Sequence, residues 1–175
     1  MFQVTSKHLT FALLVIIAAS GYLLFSSYRD VKITHIQAKH TIEEQQTKHK
    51  LVTNMFKAAR ERSILLLTMH ATDDLFEMDD LNQRLGHEAT KFIAAREELM
   101  AMDLNPEERT LLEEQMSLVS INAPLQNQAA ELFLEGQRDE AEALLFNIAI
   151  PGQRTVLNKT DDILDFYEKT ARKVI

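Results

Sequence analysis

The 175-residue chain contains no cysteine and no tryptophan, and little glycine (4) or proline (3). Without cysteine there is no disulfide framework, no thiolate zinc site, no thiol nucleophile and no C-x-x-C-H haem attachment. That absence suits an oxidising compartment without identifying one. Scarce Gly and Pro exclude the turn-dense composition of all-β folds, while abundant Leu, Ala, Glu, Gln, Lys and Met favour helix. A basic excess is missing too: the formal net charge is −7, and Lys and Arg alternate with acids. A nucleic-acid partner is therefore excluded, because phosphate neutralisation needs clustered base. Phosphate loops, dinucleotide fingerprints and the G-x-S-x-G nucleophile elbow are also lacking, so no catalytic residue is apparent and the chain does not read as an enzyme. What remains, 46% hydrophobic and 26% charged residues, is the composition of a folded domain.

One long apolar run stands out. From Leu9 to Tyr28 no charge occurs, and about 20 helical residues span roughly the 30 Å of a bilayer core. Lys7 and the small residues Ala18-Ala19-Ser20 also resemble a cleaved signal peptide. The apolar stretch, however, continues through Tyr22, Leu23, Leu24 and Phe25, which favours an uncleaved anchor. Residues 1–8 then form a cytoplasmic tail and 9–28 a transmembrane helix. Charge does not fix the orientation, since Lys7 precedes the run while Arg29 and Lys32 follow it.

After Gly21 neither Gly nor Pro occurs until Gly86, so the membrane helix can continue into a soluble helix reaching about residue 70. Gln37 to Lys50 is almost wholly polar; an apolar stripe follows with Leu51, Met55, Ala58, Leu65, Leu66 and Met69. Residues 71–80, with four aspartates, read as a turn or helix start. Leu81, Leu85, Ala89, Phe92, Arg96 and Leu99 then recur at helical spacing. Asn105, Pro106 and Glu108 spell a capping box with proline at the first helical position. In the helix they open, Leu111, Leu118, Leu125 and Leu132 repeat every seven residues, flanked by Leu112, Gln115, Asn122 and Ala129, as a bundle seam. Gly136 is a terminator, and Asp139 with Glu142 suggests a second capping box. The last helix carries Ala141, Leu145, Ile148, Val156, Ile163, Phe166 and Val174. The expected fold is all-α: an N-terminal transmembrane helix continuous with an up-down-up-down four-helix bundle over 29–175, its helices at about 29–70, 80–102, 106–135 and 139–175. The closing Ala171-Arg172-Lys173-Val174-Ile175 reads as the basic flank of a second span or as a helix end. On the first reading the chain is an input module without its output domain.

None of His8, His35, His40, His49, His70 and His87 forms an E-x-x-H or H-E-x-x-H pattern, so neither a metal nor another cofactor is expected. The acid pairs Asp73-Asp74, Asp79-Asp80 and Asp161-Asp162 suit caps and solvated faces better than acid-base work. Pro124 and Pro151 should lie at similar heights below the Gly136 turn, each opening its helix. Arg60, Arg62 and Arg154, with Asn122 and Gln153, then suggest a pocket for a small anion, because arginine holds carboxylates bidentately. The competing reading gives these arginines solvated partners such as Glu61.

Residues 58–69 (AARERSILLLTM) and 73–79 (DDLFEMD), with 92–99 (FIAAREEL), 136–145 (GQRDEAEALL) and the downstream Pro151, resemble the periplasmic four-helix-bundle input domain of bacterial chemoreceptors (methyl-accepting chemotaxis proteins) and of transmembrane diguanylate cyclases or phosphodiesterases. The resemblance implies a homodimer at the inner membrane with the bundle in the periplasm. It also implies a ligand pocket between helices in the membrane-distal half, for a small ligand or a periplasmic binding protein. Arg60 and Arg62 best match the arginines of the family's first helix. A membrane-tethered structural or adaptor bundle that binds a partner protein along the seam is the alternative.

Overall fold

The computed structural model describes residue 39 and residues 41–174, the side chains of 173 and 174 excepted. The expected tail (1–8), membrane helix (9–28) and first residues of the soluble helix (29–38) lie outside the described residues, as do the side chains of the basic flank beyond Arg172. No helix among the described residues is long and apolar enough to cross a membrane. The chain divides into two compact units, Met1–Glu44 and Gln45–Ile175. In the first, residues 41–44 are helical, and Lys39 lies 3.7 Å from Glu43 in an exposed i,i+4 pair.

The second unit is four helical rods joined by short turns, with no strand among the described residues. Helix α1 covers residues 45–71 of this unit, α2 is Leu75–Met100 and α3 is Pro106–Leu134. The fourth rod comprises α4 (Arg138–Leu144), a π-helical turn (Leu145–Ala149) and α5 (Ile150–Val174). Such short connections make successive rods antiparallel neighbours.

Local chemistry sets the ends. Helix α2 opens at Leu75, earlier than the spacing suggested, because the Asp74 carboxylate accepts from the Phe76 N–H at 2.9 Å. The signal was masked because its first residues, Leu75 and Phe76, are exposed and add nothing to the apolar stripe. At α3 the capping box forms: Glu108 N–H donates to Asn105 Oδ1 at 2.9 Å and Asn105 N–H to Glu108 Oε2 at 2.7 Å. Gly136, at φ 74°, closes α3 in a Schellman turn, with Gln137 N–H on the Leu132 carbonyl at 2.9 Å and Gly136 N–H on that of Phe133 at 3.1 Å. The expected Asp139–Glu142 capping box is absent. Gln137 holds the N-cap position without a side-chain bond, and Asp139 falls in the first turn.

Two apolar clusters fill the interior. One joins Leu51, Val52, Met55, Phe92, Leu99, Leu112, Ile163 and Tyr167 towards the α2–α3 turn. The other joins Leu65, Leu66, Met69, Leu81, Leu85, Phe133 and Leu145 towards the opposite end. Each fully buried Leu or Phe contributes roughly 1.5–3 kcal/mol by leaving water. The α3 seam runs along Leu112, Gln115, Asn122, Gln126, Ala129 and Phe133. The seven-residue leucines Leu111, Leu118, Leu125 and Leu132 are only half-buried beside it, because a long apolar side chain can shield the edge of an interface as well as its centre.

Buried polar contacts fasten the two ends. Lys48 Nζ lies 3.3 and 3.2 Å from the Glu108 carboxylate oxygens and also donates to the Asp103 carbonyl, tying α1 to the α2–α3 turn. At the other end Arg138 donates to the carbonyls of His70 and Thr72 and pairs with Asp73, closing the C-terminus of α1. His70 there contacts the rings of Phe133 and Phe146, with Nδ1 3.3 Å from Glu142 Oε1.

Candidate functional site

Between the two clusters the core turns polar. Arg62, Asn122, Gln126 and Gln153 are all buried there, beside a cavity of about 220 Å³. Its wall includes Arg62, Gln126, Asn127 and Gln153 on the polar side and Phe92, Ile93, Val119, Ala123 and Val156 on the apolar side. Helical spacing assembles it: Gln126 lies one turn after Asn122, and Gln153 and Val156 share the inner face of α5.

Arg62 is 6% exposed. Its Nε donates to Gln126 Oε1 at 2.9 Å, Nη1 to the Leu85 carbonyl at 2.8 Å and Nη2 to Asn127 Oδ1 at 2.8 Å. All three acceptors are neutral, and a guanidinium has more N–H groups than these bonds use. Among the described residues Arg62 takes part in no ion pair; its neighbour Glu61 pairs instead with Arg84 at 3.7 Å. Burial pushes the guanidinium below its ordinary value, which is the effect of desolvating a charge without bringing up an opposite one. The Nε2 of Gln126 adds a buried donor with no hydrogen-bond partner.

Gln153 ties the cavity to three rods. Its Nε2 donates to the Ala59 carbonyl of α1 at 2.7 Å, and its Oε1 accepts from Asn122 Nδ2 at 2.9 Å. Turned over, the Asn122 amide donates to the Ala149 carbonyl at 3.0 Å and accepts from the Gln153 backbone N–H at 3.2 Å. Its oxygen then sits 2.9 Å from Gln153 Oε1, acceptor against acceptor unless the Gln153 amide turns as well. Each orientation satisfies one set of partners at the expense of the other. The approach requires Gly152, where a Cβ would lie 2.2 Å from Asn122 Oδ1.

The π-helical turn lies just ahead of this contact, with Ile150 N–H bonded to the Leu145 carbonyl. Pro151, the next residue, offers no N–H and crowds the preceding turn of an α-helix, and widening that turn by one residue relieves the conflict. The same shift turns Ile148, expected to point inward, out to solvent together with Phe146.

Of the five residues expected to form a pocket, Arg62 and Gln153 line the cavity and Asn122 supports Gln153. Arg60 and Arg154 are exposed and do not line it. Arg60 is about 200° around α1 from Arg62, on the outer face. Pro124 and Pro151 are exposed as well, so the prolines face solvent rather than each other, and α3 runs unbroken through Pro124. Sequence reasoning missed Gln126, Asn127, Gly152 and the apolar wall. Gln126, a polar residue one turn from Asn122 on the seam, carried the legible signal. No group of acids and histidines among the described residues could hold a metal ion. The acid pairs are exposed, and Asp74 serves as a cap.

Comparison with known proteins places this architecture. The family described as "Four helix bundle sensory module for signal transduction" matches residues 3–174, and the chain belongs to it. No curated protein sequence matches the chain. A solved structure described as a periplasmic sensor domain of a sensor histidine kinase is similar at a TM-score of 0.68 and 13% identity, over 79% of this chain and 92% of that one. At that identity the likeness is one of fold.

Proposed function

We propose that this sensory module is the non-catalytic, extracytoplasmic input domain of a bacterial transmembrane receptor of the chemotaxis or cyclic-di-GMP type. It is anchored through 9–28, works as a homodimer, and binds a small anionic ligand in the cavity beside Arg62. Family membership supports the sensory role, and the uncharged run from Leu9 to Tyr28 supports the anchor. The observation that carries the ligand site is Arg62 itself, a buried cation held only by neutral acceptors. Desolvating such a charge costs several kcal/mol, and an incoming anion recovers part of that cost by supplying the missing counter-charge.

Fusing residues 1–175 ahead of the second transmembrane helix and cytoplasmic signalling domain of a receptor, and reading its output against small organic acids, tests the role. At least one acid should change the output, and Ala123→Leu, which fills the cavity, should abolish the response. An output indifferent to every acid, with a second protein retained on the bundle, would support the adaptor alternative.

A further inference from the structure

The cavity has one charged residue in its wall, beside the amides of Gln126, Asn127 and Gln153 and an apolar remainder, and this asymmetry defines a chemical class of ligand. We infer that the site takes a monocarboxylate with a compact apolar body. Its carboxylate sits on the spare N–H groups of Arg62 and on Gln126 Nε2, and its body lies against Phe92, Val119, Ala123 and Val156. This rests on the proposed sensory reading and narrows it to one kind of molecule.

Three observations fix the class. Arg62 and Gln126 are joined by the bond from Nε to Oε1 at 2.9 Å, so the unpartnered Gln126 Nε2 lies in the same stretch of wall as the guanidinium. A planar carboxylate with two oxygens meets both donors, whereas a neutral amide or alcohol brings no counter-charge. The cavity's 220 Å³ suits a small acid of roughly ten heavy atoms or fewer. Among the lining residues no second cation stands opposite Arg62, so a second carboxylate would find no counter-charge there, and burying an unpaired charge is strongly unfavourable.

The full chain in lipid nanodiscs, titrated calorimetrically with hexanoate, hexanamide and adipate, tests the inference. Hexanoate should bind, with hexanamide and adipate each at least tenfold weaker. Arg62→Met should weaken hexanoate at least tenfold. Ala123→Leu, which leaves Arg62 and its partners in place, should do the same should Arg62→Met unfold. Adipate or hexanamide binding as tightly as hexanoate overturns the class, as does hexanoate binding unchanged in Ala123→Leu. Failure of all three compounds while some other molecule drives the receptor fusion overturns the class and leaves the sensory reading standing. A fusion that ignores hexanoate despite tight binding sinks the sensory reading instead.

Discussion

Substituting Gly152 with alanine is expected to destabilise the bundle, although Gly→Ala inside a helix ordinarily stabilises. The added Cβ would sit 2.2 Å from Asn122 Oδ1 and 3.0 Å from its Cγ, so the amide must leave its place between α3 and α5. Losing the partners of a buried amide costs about 1–3 kcal/mol, and residual overpacking adds to that. The gain in helix propensity returns only about 1 kcal/mol. The balance is a loss of about 1–2 kcal/mol, or a fall in Tm of roughly 2–8 °C for a chain of this size. In an Asn122→Ala background the collision is gone, and the same substitution should become neutral or stabilising by up to about 1 kcal/mol. Thermal and urea unfolding of the four proteins of this double-mutant cycle measures the coupling. Stabilisation by Gly152→Ala in both backgrounds would refute the wedge of Asn122 into α5.

Two further outcomes follow from the ends of the bundle. Lys48→Met strips the buried Glu108 carboxylate of its cation and should cost about 3–5 kcal/mol. Adding Glu108→Gln, which removes the stranded charge and keeps an oxygen for the Asn105 N–H, should recover more than half of this in urea unfolding. Arg138→Ala removes the side chain closing the α1 C-terminus and should cost about 1–2 kcal/mol, with faster amide exchange at residues 70–76. Arg138→Lys should not restore it, because an ammonium lacks the fork that reaches two carbonyls and a carboxylate.

What was legible in the sequence was whatever depends on near neighbours. Asn105, Pro106 and Glu108 act within one turn, and Gly136 needs only its own φ, so both helix ends could be read directly. The apolar stripe from Leu51 to Met69 follows from the period of the helix. The rest depends on phase between rods. A seven-residue leucine repeat and the polar-rich row beside it fit α3 equally well, and only packing decided that Gln115, Asn122 and Gln126 go inside. The π-helical turn before Pro151 shifts the phase of the fourth rod, so Ile148 points outward against its periodicity. Arg62 lines the cavity while Arg60 and Arg154 lie at the surface, since height along the rods and residue type guided the choice without phase. Phase about α1 separates Arg60 from Arg62, and that information was already present in their spacing.

Amide hydrogen exchange on the full chain in nanodiscs, with and without saturating hexanoate, examines most directly whether the polar belt around Arg62 is a ligand site rather than a fixed part of the core. Slowed exchange is expected in peptides covering 56–63, 89–93, 119–127 and 149–157, the segments that meet at the cavity. Identical exchange in all four, with hexanoate shown to be bound, would place the ligand elsewhere and leave Arg62 a purely structural charge.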